Sequence, residues 1–283
     1  MNEGLIVASV VTKSCLKEFL LTKYSCELFN DCRWYVSCDQ YCVHKLNKYD
    51  NITLLEFDID DTISDHNSAT PEDQEAFLSI ILNKFKALKK ALKENEYCLF
   101  LDSDMLFVNK VDTNIIELIK EGRVDFVASP HYTSDPLVEH KHGVYNVGMF
   151  AVNDDSKLDE WINLTKNHKK LNLYYEQKPF ELILKNFLFL TLPINYNIGW
   201  WRFNNELTQS RLKFINEKDG HICFGRLPAV NFHFHVFKEP GGYNPGGFLV
   251  EKIFNLMKGS DNEKYHKILE YYEHLSETPL QAV

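Results

Sequence analysis

Tyr97-Cys98-Leu99-Phe100-Leu101-Asp102-Ser103-Asp104-Met105-Leu106-Phe107-Val108 reads as an apolar strand, an acidic corner and a second apolar run. Two carboxylates separated by one residue stand where the strand ends. Desolvating two like charges side by side is costly unless a cation sits between them. A hard divalent ion that prefers oxygen ligands, Mn2+ or Mg2+, meets that need. Asp104 is therefore a candidate metal ligand, with Asp102 beside it. The plainer reading is a strand end with two solvated carboxylates.

On either side of this corner the pattern alternates between strand and helix. Leu5–Val11 is continuous and β-branched, the mark of a buried strand. A helix is expected over 17–30 and strands over 33–37 and 52–57. Residues 75–94 carry Phe77, Ile80, Ile81, Phe85, Leu88 and Leu92 at helical spacing and lead into the strand at 97–101. Beyond the corner come a helix at 115–120, strands at 126–128 and 144–152 (the latter broken by Gly148), and helices at 157–168 and 179–187. Strands at 188–192 and 229–235 and a mostly helical tail at 248–275 complete the chain. Such alternation predicts an α/β fold, a mixed, mostly parallel central sheet flanked by helices. Ligands of such sheets lie outside the carboxyl ends of the strands, which directs attention to Ser9, Asp39, Asp58, Asp102, Asp104 and His233 to His235.

Composition narrows the function classes. Among 283 residues, 45% are hydrophobic and 25% charged, which argues against wholesale disorder. Lys and Arg number 31 against 40 Asp and Glu, a formal charge of −9 and the wrong sign for a dedicated nucleic-acid binder. The seven cysteines form no Cys-x-x-Cys pair, so they read as reduced thiols in the cytoplasm and not as a zinc site. No basic leader precedes the first strand and no apolar run approaches ~20 residues, so neither a signal peptide nor a membrane span is expected.

A second acidic motif competes. Phe57-Asp58-Ile59-Asp60-Asp61-Thr62 resembles the opening motif of haloacid-dehalogenase-type phosphatases. There Asp58 would attack phosphorus and Asp60 would act as general acid, with Mg2+ between them. That motif normally follows the first strand, whereas here two strands and a helix precede it. An acidic loop after the third strand is the alternative.

Five segments in order resemble the GT-A nucleotide-sugar glycosyltransferases of family 8, the glycogenin and bacterial galactosyltransferase type. They are Leu99 to Phe107 around Asp102-Ser103-Asp104; Tyr145-Asn146-Val147-Gly148-Met149; Glu176-Gln177; Leu192-Pro193 with Tyr196-Asn197; and Phe232-His233-Phe234-His235 with Lys238 and Pro240. Departures are Val147 where Ser is usual, Glu176 where Asp is usual, Lys238 five and not six residues after His233, and a missing Gly and Trp.

The resemblance implies a GT-A catalytic domain over 1–247, with a nucleotide-binding half at 1–108, an acceptor half at 109–247 and a helical extension at 248–283. It implies Asp102, Asp104 and His233 as metal ligands, with His235 a second candidate for metal or phosphate. It implies Ala8, Ser9, Val10, Lys84 and Ser103 at the nucleotide sugar. Asp39, at the end of the second strand, is a candidate for base or ribose, and Lys238 for the leaving diphosphate. Asn146 and Gly148 would line the sugar pocket. Glu176 and Gln177 would face the anomeric carbon, Glu176 as oxocarbenium stabiliser or nucleophile with retention, or as base with inversion. Trp200 and Trp201 offer aromatic surface to an acceptor sugar. The expected activity is metal-dependent transfer of a hexose from a nucleotide diphosphate sugar, UDP-linked by preference, to a carbohydrate-type acceptor, with retention favoured. A non-catalytic nucleotide-sugar or glycan-binding module on the same scaffold is a further alternative. A sugar-1-phosphate nucleotidyltransferase would want a Gly-rich loop after strand one, which Ser9-Val10-Val11-Thr12-Lys13-Ser14 lacks.

Overall fold

The structure, a computed structural model, describes residues 4–58, 71–133, 135–203, 210–237, 246–280 and 282–283. Ile59 to Thr62 of the second acidic motif, Lys238 and Pro240 lie outside the described residues. A seven-stranded sheet forms the centre. Its strands are β1 (Leu5–Val11), β2 (Cys32–Cys38), β3 (Ile52–Glu56), β4 (Cys98–Leu101), β6 (Phe126–Pro130), β7 (Tyr145–Val152) and β8 (Phe189–Thr191), in the order β3-β2-β1-β4-β7-β6-β8. β1 pairs in parallel with β2 and β4, β2 with β3, and β6 with β8. Only β7 runs against its neighbours, β4 and β6.

Both faces of this sheet are covered, which is why its strands read as continuous apolar runs. Val7, Trp34, Val36, Leu99 and Leu101 enter one core. Ala8, Tyr35, Cys98 and Phe100, pointing the other way at period two, enter a second. Helix α1 (Leu16–Phe29) lies in the first, with Phe19 edge-on to Trp34 at 5.4 Å. The tail folds as two helices, Gly247–Gly259 and Glu263–Glu277, whose Leu249, Ile253, Ile268 and Leu275 join that same core. Helix α3 (Pro71–Leu92) supplies Phe85 and Leu88 to the second core, where Phe85 meets Trp161 at 5.0 Å. The expected 75–94 helix starts earlier than anticipated, at Pro71, which suits a helical first turn.

A smaller sheet is decisive for the site. β5 (Met105–Phe107) follows β4 after only three residues and pairs antiparallel with β13 (Asn231–His233), which pairs in parallel with β9 (Ile198–Gly199). Residues 102–104 are thus the hinge by which the chain leaves the central sheet for the small one. The expected 229–235 strand is shorter, and His235 lies beyond its end. The expected break at Gly148 takes the form of a register shift: β7 stays a strand, but its pairing with β6 slips between Ala128 and Ser129.

All seven cysteines are free thiols. Among the described residues no helix is long and apolar enough to cross a membrane.

After β6, His131 is buried, its backbone N–H donating to Val144 O at 2.8 Å and its Nδ1 lying 3.0 Å from Gly143 O. Burial pushes its pKa down from 6.5 to about 4. The neutral ring therefore favours folding above pH 6.5, and that contribution is lost as pH falls from 6.5 through 4. By pH 5 the loss should be ~2 kcal/mol. Urea denaturation of the wild type and His131→Asn at pH 7 and pH 5 checks this: the wild type should lose more stability between the two values than the variant does.

Candidate active site

The acidic corner is held from three sides. Asp102 N–H donates to Gly148 O at 2.8 Å, continuing the β4–β7 pairing, and Phe234 N–H donates to Asp104 O at 3.0 Å, continuing the β5–β13 pairing. From α1, the Thr22 hydroxyl lies 2.7 Å from the carbonyl oxygens of both Ser103 and Met105 and accepts the Met105 N–H at 3.0 Å. His233 is register partner to Met105, so its imidazole arrives beside Asp104 although 129 positions separate the two.

Asp102, Asp104 and His233 each place one ligand atom within 4.8 Å of the others. His233 Nε2 is 3.1 Å from Asp104 Oδ1 and 3.9 Å from Asp102 Oδ2. Donor atoms in adjacent positions around a divalent ion at ~2.1 Å stand ~3 Å apart, so two carboxylates and an imidazole so spaced fit such an ion. His235, two residues beyond the end of the strand, brings Nδ1 to 3.4 Å from Asp104 Oδ2. Burial alone would raise the Asp104 pKa, but the His233 and His235 imidazoles hold it well below the carboxylate range. Burial lowers His233 in turn, and the Asp104 carboxylate more than offsets this, so its pKa stands above the ordinary value.

The imidazole is oriented by Asn197, whose Oδ1 is 3.0 Å from His233 Nδ1. Asn146 Oδ1 accepts the Gly148 N–H and the Asn197 Nδ2, both at 2.9 Å. That fixes which end of the Asn197 amide faces His233: the oxygen. His233 Nδ1 then donates to Asn197 and Nε2 faces the two carboxylates: it donates to Asp104 while the ring is protonated and offers a lone pair to a metal ion once that proton leaves. Asn197 sits in the left-handed region at φ 46° and is fully buried. Sequence reading noted the Tyr196-Asn197 pair without finding this role, and it did not find Thr22. Neither side chain carries a signal of its own until the register is known.

Lys84, from α3, is buried. Its Nζ lies 3.1 Å from Val147 O, 3.1 Å from Glu176 Oε1 and 3.7 Å from Asp102 Oδ1, and 4.4 Å from the Phe100 ring centre. Burial would lower its pKa, but Asp102 and Glu176 raise it above the usual lysine value. The ammonium thus bridges the acidic corner to Glu176, at the start of α7 (Gln177–Leu184). Trp161 Nε1 donates to Glu176 O at 2.8 Å and secures that turn. Asp102 and Glu176 touch this one ammonium while Asp104 faces the two imidazoles, so a divalent cation that displaced the His233 proton would offset the remaining negative charge.

The other expected residues fall as follows. Ala8 and Ser9 are buried on β1, with no hydrogen-bond partner for Ser9 Oγ among the described residues. Val10 is half-buried. Asp39 caps α2 (Gln40–Leu46) through Oδ1 to Cys42 N, and its Oδ2 accepts Lys13 N–H at 2.6 Å, so it ties the loop after β1 to the end of β2. Trp201 is an edge-on wall 5.0 Å from the His233 ring, its Nε1 donating to His131 O; Trp200 beside it is half-buried. Asp58 is exposed beyond β3, the edge strand, away from the corner.

The sequence matches no family model and no curated protein. Solved structures do resemble it. The galactosyltransferase LgtC, crystallised with donor and acceptor sugar analogues, aligns over 97% of this chain and 98% of its own with a TM-score of 0.54 and 13% identity. The glycosyltransferase GlyE of Streptococcus pneumoniae TIGR4 aligns over 100% of this chain and 66% of its own, with a TM-score of 0.55 and 13% identity. At such identities the likeness is one of fold: the chain has the GT-A architecture.

A Cβ at Gly148 would collide with His233 Cε1, and would lie 2.6 Å from Asp102 Oδ2 and 2.8 Å from Asn146 Oδ1. Gly148→Ala should weaken Mn2+ binding, measured by calorimetry, by at least about tenfold while thermal unfolding stays cooperative. His233→Ala should weaken it more than His235→Ala does; equal affinities for all three variants and the wild type would remove the metal centre from these residues.

Proposed function

We propose that the protein is a metal-dependent glycosyltransferase that moves a hexose from a nucleotide diphosphate sugar, UDP-linked by preference, to a carbohydrate-type acceptor. The observation that carries this is the Asp102–Asp104–His233 group joined through buried Lys84 to Glu176, at the strand ends of a GT-A fold. A bound Mn2+ or Mg2+ would neutralise the departing diphosphate as a Lewis acid. Asp102, Asp104 and His233 would hold it, with His235 the nearest additional donor and Lys238 a further cation for the diphosphate. Ala8, Ser9, Val10, Asp39 and Ser103 would line the nucleotide side, and Asn146 and Gly148 the sugar.

Glu176 supports the retaining course. A carboxylate at this position can stabilise positive charge developing at an anomeric carbon. Gln177, next in the chain, would orient the sugar. Lys84 stands between Glu176 and Asp102, so leaving-group and anomeric ends of the donor would meet different carboxylates. The free thiols support a reducing compartment, the cytoplasm.

A panel of nucleotide sugars, screened by thermal shift with and without Mn2+ and then for sugar release, tests the reading. At least one UDP-hexose should be bound and turned over only with the metal. Asp104→Ala should lower that turnover by at least about a hundredfold, whereas Asp58→Asn should leave it within about tenfold. Phosphate release from a simple monoester, lost in Asp58→Asn and kept in Asp104→Ala, would instead establish the phosphatase.

A further inference from the structure

At Arg202, next in the chain to Trp201, lies a cavity of ≈ 460 Å³ that none of the expected donor residues lines. Arg202, Arg211, Tyr132, Glu139, Phe214 and Phe224 border it. Arg202 is 2% exposed. Its guanidinium donates to three backbone carbonyls, Ile194 O at 2.6 Å, Tyr196 O at 2.8 Å and Asn197 O at 2.9 Å, and its Nε has no partner among the described residues. It lies 4.8 Å over the Tyr132 ring. Neither Arg202 nor Arg211 is ion-paired among the described residues, and Glu139, on the same cavity, pairs with neither. Burial without a carboxylate lowers the Arg202 pKa to about 9.

A buried cation with no counter-charge is costly, and so is an exposed aromatic ring; Phe214 is 47% exposed. Both costs fall if an anion-bearing ring occupies the cavity. Among the described residues the lining holds two arginines and one glutamate, a single net positive charge. That matches a carboxylate, and not the near-double charge of a phosphomonoester. Aromatic faces beside charged donors are suited to a sugar ring with one apolar face. The location fits the acceptor side. Arg202 and Tyr132 directly follow Trp201 and His131, and Trp201 spans from the His131 carbonyl to the face of His233. The Arg202 guanidinium also donates to Asn197 O, and Asn197 holds His233, so a sugar here would be linked to the metal corner through two residues.

We propose that this cavity is a subsite for an acidic sugar unit, a uronic-acid-type residue carrying one carboxylate, within the glycan acceptor. The assignment rests on the glycosyltransferase reading for the word acceptor, and on the cavity alone for the acidic sugar.

Calorimetry or saturation-transfer NMR with methyl glucuronide, methyl glucoside and glucose 6-phosphate tests it on the full chain. Arg202 supports the loop at 194–197 and its removal endangers folding, so partly exposed Arg211 is the residue to change. The glucuronide should bind at least about tenfold more tightly than the glucoside, since a charge-assisted hydrogen bond is added. Arg211→Gln should abolish that difference without altering the affinity for UDP with Mn2+. Equal binding of glucuronide and glucoside, no binding of either, or a preference for glucuronide that survives Arg211→Gln would overturn the subsite. Tighter binding of glucose 6-phosphate than of the glucuronide would overturn the carboxylate assignment. UDP and Mn2+ binding, measured on the same wild-type sample, reports separately on the glycosyltransferase reading, since its loss leaves the glucuronide result standing or falling by itself.

Discussion

Two carboxylates brought to one half-buried corner repel each other and lose part of their hydration, and most of what surrounds Asp102 and Asp104 answers that problem. Lys84 reaches in from a helix to stand beside Asp102. His233 and His235 stand beside Asp104. Asn197 and Asn146 turn the His233 ring so that Nε2 faces the acids, a donor to Asp104 when protonated and a ligand for a metal ion when not. Gly148 is where no side chain fits, because its Cβ would occupy the space where imidazole and carboxylate meet. Removing the acids would leave buried Lys84 without a counter-charge beyond Glu176, a costly arrangement in a low-dielectric interior.

The backbone cooperates through two pairings. The central sheet stops at Leu101 and the small sheet starts at Met105, so the three residues between are held by hydrogen bonds at both ends. Thr22 closes the third side from α1. A loop free to move would not keep ligand atoms within tenths of an ångström, and a metal site tolerates little more. The same two sheets bring β9 and β13 alongside the corner, which places the Trp201 ring against His233.

Much of the architecture was legible before any coordinates. β-branched runs at period-independent spacing mark strands buried on both faces, and Val7 and Ala8, or Leu99 and Phe100, indeed enter opposite cores. Amphipathic spacing located the long helix carrying Lys84, and the Asp-Ser-Asp corner stood out because charge interrupts an apolar run. The small sheet was only partly visible: β13 lies within the expected 229–235 strand, but β9 has two residues, too short for any periodicity to register. The helix Pro136–His142 was also missed, since its exposed Leu137 and basic end form no apolar stripe.

The sequence by itself determined which residues are chemically able to act: two acids one residue apart, alternating histidines, a glutamate at a helix start, paired tryptophans. These are local facts, set by side-chain chemistry and by spacing along the chain. Only the tertiary structure decided which of them meet. Lys84 bridges Asp102 and Glu176 across 92 positions of chain from the latter, and Asn197 touches His233 from 36 positions away. Such encounters depend on strand register and crossover, which follow from the burial of the whole sheet and leave no mark on any single side chain. Chemistry was written residue by residue; the site exists because two sheets, each packed for its own hydrophobic reasons, end at the same corner.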